Sequence, residues 1–143
     1  MTIAMILREK GDRTISATPD MTVRDAVALL SAERIGAVPV LDGDGRVVGV
    51  FSERDVIGCI AAQGPAALDG PVSAAMTAPA ITVAPDHPAI GALSLMTRRR
   101  VRHLPVVDGK RLVGFVSIGD LVKYRIDRIE ADAAAMRDYI QSA

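Results

Sequence analysis

Apolar residues early in the chain recur at the spacing of one helix face. Val23, Ala26 and Leu30 follow one another at three- and four-residue steps, which is the period of an amphipathic helix. The box Thr22-x-x-Asp25 overlaps their start and is typical of a capped helix N-terminus. The pattern therefore predicts a helix that begins at Thr22.

Two apolar runs, 37–41 and 47–51, follow this helix and are separated by Asp42-Gly43-Asp44-Gly45. Gly and Asp tolerate the backbone conformations of tight turns, so these runs are expected to pair as a β-hairpin. A short apolar stretch at 14–17 precedes the helix, and Ser52 opens a second helix running to about residue 62. The predicted order is β-α-β-β-α.

The same order recurs in the second half of the chain. Ile15 aligns with Ile81, 66 positions on, whereas Asp55 aligns with Asp120, 65 positions on, because the second hairpin turn is one residue shorter. A register kept on both sides of one turn deletion indicates an internal duplication. The second copy predicts strands at 81–83, 104–107 and 112–116, with helices at 88–100 and from 118 onward.

These elements predict the α/β (α+β) class and three segments. Residues 1–63 comprise a short N-terminal helix and the first repeat, 64–71 form a Gly/Pro/Ala-rich linker, and 72–143 comprise the second repeat. The last helix extends far beyond its counterpart in the first repeat. Apolar residues on this charged extension suggest packing against the other half or a second subunit.

Composition excludes several classes of protein. The 143 residues are 50% hydrophobic, and Lys+Arg and Asp+Glu both number 17. Zero net charge argues against a nucleic-acid binder, and no apolar run approaches a membrane span. The N-terminus does not resemble a signal peptide, and the single cysteine, Cys59, excludes an intrachain disulfide. We therefore expect a cytoplasmic protein.

The box Ser-x-x-Asp occurs once in each half, as Ser52-x-x-Asp55 and Ser117-x-x-Asp120, and each box lies between a strand and a helix. Such a box is commonly a structural cap. The same position offers helix N–H groups to an anion and a carboxylate to vicinal hydroxyls, as acidic residues do for ribose. The sequence leaves both interpretations open.

Arg102-His103 precedes the strand of the second repeat, where the first repeat has Gly36-Ala37. A guanidinium at this strand end is suited to clamping a phosphate. Arg98 to Arg100 have a simpler explanation, because cations at a helix C-terminus complement its dipole. We identify no catalytic set and no metal-binding motif.

The motifs Pro-Val-x-Asp, Val-Gly-φ-φ-Ser and Ser-x-x-Asp, each within β-α-β-β-α, resemble a tandem pair of cystathionine-β-synthase (CBS) domains, or Bateman module, over roughly 14–124. The resemblance implies two repeats packed about a pseudo-twofold axis, clefts that bind adenosine-containing ligands such as AMP, ADP, ATP, NAD(H) or S-adenosylmethionine, and association of two modules. It implies no obligatory cofactor.

Carried over to this chain, the family pattern implies two ligand clefts. One has Thr82 near adenine, Asp120 on ribose and a phosphate group formed by Ser117, Arg102 and His103. The other has Ser16, Ser52 and Asp55, with Arg54 as a helper. Because the first repeat lacks the Arg-His pair, phosphate binding in the second of these clefts is in doubt. That cleft is expected either to take a ligand with less charge or to borrow cations across the pseudo-twofold.

We therefore expect a non-enzymatic regulatory module that senses adenine nucleotides, forms a homodimer and acts on a separate effector protein. The alternative is a ligand-free oligomerisation or docking scaffold. A third reading, nucleic-acid binding through Arg98 to Arg102, is disfavoured by the zero net charge, and an enzyme is disfavoured further.

Overall fold

The computed structural model describes residues 1–11 and 13–142, which form two equivalent halves and a long final helix. The helices are α1 (Ile3–Lys10), α2 (Val23–Glu33), α3 (Glu53–Gln63), α4 (Val72–Ala75), α5 (Ala89–Arg99) and α6 (Ile118–Ser142). The strands are β1 (Ala37–Leu41), β2 (Val47–Ser52), β3 (His103–Asp108) and β4 (Arg111–Ser117). The fold class is the predicted mixture of helices and small antiparallel sheets.

Each half contains one antiparallel hairpin in the predicted place. β1 pairs with β2, and β3 pairs with β4 so that His103 lies opposite Ser117. The strands predicted at 14–17 and 81–83 are reduced to single parallel bridges, Ala17 with Val40 and Val83 with Val106. The ladder is short because the residue before each bridging valine is a proline, Pro39 in β1 and Pro105 in β3, which has no N–H to donate.

The helices begin and end close to the predicted positions. The Thr22 hydroxyl accepts a hydrogen bond from the Asp25 N–H at 3.1 Å, as the capping box requires. Gly11 ends α1 with a positive φ of 95°. The predicted linker is itself ordered as a 3₁₀ helix over Gly64–Asp69.

Each half has its own apolar core, and each core includes a segment from elsewhere in the chain. Val72 of α4 is buried with Phe51 and the rest of the first-repeat core. Ile3 and Ile6 of α1 are buried with Leu104 and the second-repeat core. The packing therefore crosses the predicted segment boundaries: the N-terminal helix completes the second half, and the segment after the linker completes the first.

We call the piece of chain that completes each core from elsewhere a crossing segment: α1 for the second half, and α4 with the residues up to Thr77 for the first. A glycine in β2 and another in β4 let these segments lie directly against the sheets. A Cβ at Gly49 would lie 2.8 Å from the Thr77 carbonyl oxygen, and one at Gly114 would lie 2.6 Å from Leu7. Both distances are too short for real contacts. The Val-Gly motif of both repeats thus has a packing explanation, because only glycine permits this approach.

The final helix leaves the body of the molecule after its first two turns. Leu121 is buried in the second core and Tyr124 packs against it, whereas the side chains beyond Tyr124 are exposed, apart from the partly covered Ala134. No helix within residues 1–11 and 13–142 combines the length and the apolar composition needed to cross a membrane.

Candidate functional site

A cavity of about 530 Å³ lies between the two halves of the chain. The first half contributes the end of β2 and the start of α3. The second contributes the entry to β3 and the segment that follows α4. The lining residues are Gly36, Val50, Ser52, Glu53, Arg54, Asp55, Ile57, Thr77, Pro79, Ala80, Ile81, Arg100, Val101, Arg102 and His103.

Asp55 lines this cavity and also caps its own helix. Its Oδ2 atom accepts hydrogen bonds from the Ser52 N–H at 2.9 Å and the Ser52 hydroxyl at 3.2 Å. Its Oδ1 atom accepts a hydrogen bond from the Thr77 hydroxyl at 2.9 Å. The structural and functional interpretations of the box are therefore compatible here, since one oxygen holds the helix start and the other meets a side chain in the cavity wall.

Asp120, the equivalent carboxylate of the second half, has a different environment. Its Oδ2 atom accepts the Ser117 N–H at 2.8 Å and the Lys10 ammonium, also at 2.8 Å. Lys10 donates in addition to the Phe115 carbonyl oxygen at 2.7 Å. The cation from α1 thus ties the Asp120 carboxylate to β4, and Asp120 does not line the cavity.

Burial alone would raise the pKa of Asp120, but the hydrogen bonds from Lys10 and Ser117 and the charge of Lys10 outweigh it and lower that pKa. The Asp120 carboxylate therefore stays ionised to a lower pH than an ordinary aspartate does.

The two crossing segments meet equivalent carboxylates with different chemistry. Thr2, before α1, bridges to Pro88 at the start of α5, and Pro71, before α4, bridges to Thr22 at the start of α2. In one crossing segment the neutral Thr77 hydroxyl donates to Asp55, whereas in the other the Lys10 ammonium donates to Asp120. The duplication has diverged in charge at this point.

Three arginines belong to the lining of the cavity. Arg54, Arg100 and Arg102 all line it, against the carboxylates of Glu53 and Asp55. Arg54 donates to the Arg100 carbonyl oxygen at 3.2 Å, which joins the start of α3 to the end of α5. The lining therefore carries an excess of positive charge and is suited to an anion.

His103 stands at the strand end between the two halves. Its ring stacks on Phe115 with centroids 5.4 Å apart. Burial and the nearby charge of Lys10 lower the pKa of His103, against opposing effects of Asp120 and Glu53. The imidazole is therefore predominantly neutral at physiological pH and serves as a hydrogen-bonding group rather than a fixed charge.

The structure brings five of the nine predicted ligand-binding residues to one cavity: Ser52, Arg54, Asp55, Arg102 and His103. Ser16, Thr82, Ser117 and Asp120 do not line it. The sequence grouped Arg102 and His103 with Asp120, whereas this cavity brings the two residues together with Asp55. The entry to β3 faces across to the start of α3 in the other half, although His103 remains beside Ser117 in the ladder.

Sequence reasoning missed Thr77 and Lys10, the two residues that distinguish the carboxylates. Both lie outside the repeat as aligned from residue 14. The bridges of Thr2 and Pro71 make Ile3 equivalent to Val72, the first buried residue of each crossing segment, at an offset of 69 positions rather than 66. Ile81 was also missed as a lining residue, because the strand was expected to contribute through its neighbour Thr82.

The arrangement is suited to recognition of a ligand. It offers a carboxylate acceptor, guanidinium donors and apolar walls. Within the described part of the chain, no group of three or more His, Cys, Asp or Glu side chains is arranged to hold a metal ion.

The family model of the CBS domain matches this chain twice, at residues 12–62 and 72–127. A CBS-domain containing protein from Agrobacterium tumefaciens, ATU1752, has a similar solved structure, with a TM-score of 0.83 and 40% identity over 87% of this chain and 92% of that one. The mitochondrial CBS domain-containing protein CBSX3 of Arabidopsis thaliana is 33% identical over 98% of this chain and 72% of its own length.

A more distant structure shares the fold and was solved with ligands. The CBS domain pair of protein MJ0100, in complex with 5-methylthioadenosine and S-adenosyl-L-methionine, has a TM-score of 0.78 at 24% identity, over 90% of this chain and 98% of that one.

Proposed function

This chain belongs to the CBS-domain family as a pair of CBS repeats, and we propose that it is a non-enzymatic regulatory module that binds an adenosine-containing ligand in the cavity between its halves. The observation that carries the proposal is the Asp55 carboxylate, which lines a cavity of about 530 Å³ together with three arginine side chains. Cavities of this size accommodate small-molecule ligands. The ligands of MJ0100 are of the same chemical class.

The ribose of the ligand binds at Asp55. The Oδ2 atom is committed to Ser52, whereas the Oδ1 atom, within residues 1–11 and 13–142, is bonded only to the exposed hydroxyl of Thr77. A ribose diol replaces or joins that hydroxyl, because a carboxylate accepts hydrogen bonds from two vicinal OH groups. Asp120 is less suited to this role, since it does not line the cavity.

The phosphate binds on the cationic side of the cavity. Arg102 and Arg54 line the cavity from the two halves, and the positive end of the α3 dipole lies beside Ser52. Guanidinium groups bind phosphate with paired hydrogen bonds. The positive excess favours a ligand with phosphate groups, such as AMP, ADP, ATP or NAD(H), over the cationic S-adenosylmethionine.

The adenine ring packs against the apolar part of the lining. Ile57, Pro79, Ile81 and Val101 supply side-chain surface without charge. Ile57 is 69% exposed in the absence of ligand, so covering it with a purine ring removes apolar surface from water.

In this proposal ligand binding alters the contact between the halves and so signals to a separate effector protein, because a ligand shifts a conformational equilibrium only through different affinities for its states. Location in the cytoplasm remains a prediction.

The alternative function is that of a scaffold without a ligand. One observation supports it: both Ser-x-x-Asp boxes cap their own helices.

Titration of the purified chain with AMP, ADP, ATP, NAD, NADH and S-adenosylmethionine, followed by melting temperature and calorimetry, tests the proposal. A ligand at 100 times its Kd stabilises the fold by about 2.7 kcal/mol. Asp55→Ala should weaken binding at least about tenfold, since a hydrogen bond to a charged group contributes about 1.5–3 kcal/mol.

Asp120→Ala is the matched control, because it removes the equivalent helix cap and should leave the affinity within about twofold. No response to any of these ligands at millimolar concentration would favour the scaffold. Loss of binding in Asp120→Ala but not in Asp55→Ala would place the ligand in the other half.

A further inference from the structure

The end of α6 projects from the molecule without tertiary packing. From Arg125 to Ser142 the helix spans about 27 Å at 1.5 Å per residue, and within the described chain only Ala134 on this stretch is partly covered. Helix propensity alone contributes little of the stability of a helix in a protein. Packing of an apolar face is the usual source of the missing stability.

The projecting segment carries such a face. Ile126, Ile129, Met136 and Ile140 are 48%, 52%, 60% and 64% exposed. Together with Val122 and Ala133 they recur at alternating steps of four and three residues, so that 126, 133 and 140 are a positions and 122, 129 and 136 are d positions of a heptad repeat. The seam is continuous from Val122 to Ile140.

The charges beside this seam select an orientation. In a parallel pair, each g residue faces the e residue five positions later on the partner helix. This places Arg125 beside Glu130 of the second copy and Asp132 beside Arg137 of the second copy, and both pairs are of opposite charge. Within its own helix Asp132 meets Arg128 only at 3.7 Å, with both side chains more than half exposed.

An antiparallel pair with the same overlap would bring like charges together. It would set Lys123 against Arg137, Glu130 against Glu130 and Asp132 against Asp132. Like charges in these positions disfavour an assembly and are a common device against wrong pairings. The charge pattern therefore favours a parallel pair of α6 helices over an antiparallel pair.

We propose that α6 pairs with α6 of a second copy of this chain as a parallel two-stranded coiled coil over residues 122–140. The two modules then project from the same end of the pair. Assembly of this kind is independent of ligand binding in the cavity, so it stands or falls separately from the proposed function.

Sedimentation equilibrium at about 10–100 µM protein tests the pairing. The wild-type chain should sediment at twice its mass of 15.1 kDa. Ile129→Asp places a charge in the seam and should give the monomer. Ala131→Asp is the matched control, because it adds the same charge at an f position that faces away from the seam, and it should remain dimeric.

A monomeric wild-type chain over this range would overturn the proposal. So would an Ile129→Asp variant as dimeric as the wild type, because the chain would then associate through another surface. An unchanged melting temperature of the body in Ile129→Asp shows that the monomer is folded. Arg125→Glu should weaken the dimer at least about threefold, and adding Glu130→Arg should restore it.

Orientation is tested by oxidation in a Cys59→Ala background. Met136→Cys alone should form a disulfide-linked dimer, because equal positions meet in a parallel pair. Cross-linking found only in a mixture of Ile126→Cys and Met136→Cys chains would show an antiparallel pair and overturn the assignment.

Discussion

Lys10 is the residue whose removal gives the most direct information on how the second carboxylate is held. Its ammonium donates to Asp120 at 2.8 Å and to the Phe115 carbonyl oxygen at 2.7 Å. Lys10→Ala removes both contacts and leaves the helix propensity of α1 intact, since alanine is the best helix former.

The expected loss of stability is about 1 kcal/mol at neutral pH. The side chains of Lys10 and Asp120 are 37% and 25% exposed, so solvent screens the pair and its contribution lies near the upper end of the range for surface ion pairs. For a domain of this size the melting temperature should fall by about 3–5 °C.

The effect should depend on pH with a definite sign. Lys10 contributes to lowering the pKa of Asp120 below its ordinary value of 3.8. A lowered carboxyl pKa stabilises the fold above the ordinary value, and that contribution is lost as pH falls through the lowered one. The difference between wild type and Lys10→Ala should therefore be full at pH 7 and shrink as pH falls below about 4.

Urea unfolding of both chains from pH 7 down to pH 3 measures this difference, and nuclear magnetic resonance gives the Asp120 pKa directly. Arg8→Ala is the control, because it removes an exposed cation from the last turn of the same helix. An effect of Lys10→Ala that is equal at pH 7 and pH 3, or an unchanged Asp120 pKa, would refute the reasoning.

Two further predictions follow from close contacts. Gly49→Ala should destabilise the fold by about 1–3 kcal/mol in urea unfolding, because its Cβ would meet the Thr77 backbone. Gly114→Ala should destabilise it less, because its Cβ would meet the flexible end of the Leu7 side chain. A larger loss for Gly114→Ala than for Gly49→Ala would contradict the packing described. Because the pKa of His103 is lowered in the folded protein, the unfolded chain binds a proton at a higher pH than the folded chain does. The wild type should therefore lose stability relative to His103→Gln as pH falls below about 6.5. A difference in stability that stays constant between pH 7.5 and pH 5 would count against this prediction.

Much of the fold could be predicted from the sequence because its signals are local. The helical spacing after Thr22 and the Asp-Gly turn act within a few residues, and both occur twice, so each repeat checks the other. The strands predicted at 14–17 and 81–83 are longer than the single bridges observed. Their length depends on a proline in the neighbouring strand, which the local pattern of 14–17 or 81–83 does not include. The crossing of α1 and α4 is a long-range packing event that the local pattern does not reveal.

The candidate site was only partly predictable for the same reason. Ser52 and Asp55 were identified because a capping box has a fixed spacing. Arg102 was identified as a departure from the repeat, but the half it faces depends on how the two repeats pack. Thr77 and Lys10 lie in the crossing segments, and their contacts exist only once the tertiary structure has formed.

Proton resonance of the two histidines during a ligand titration tests the central claim most directly. His103 lines the cavity and His87 does not. With the tightest-binding nucleotide at saturation, the His103 ring signal should shift and the His87 signal should stay, and Asp55→Ala should abolish the shift at the same concentration. A bound nucleotide that leaves the His103 signal in place, or an undiminished shift in Asp55→Ala, would contradict the account.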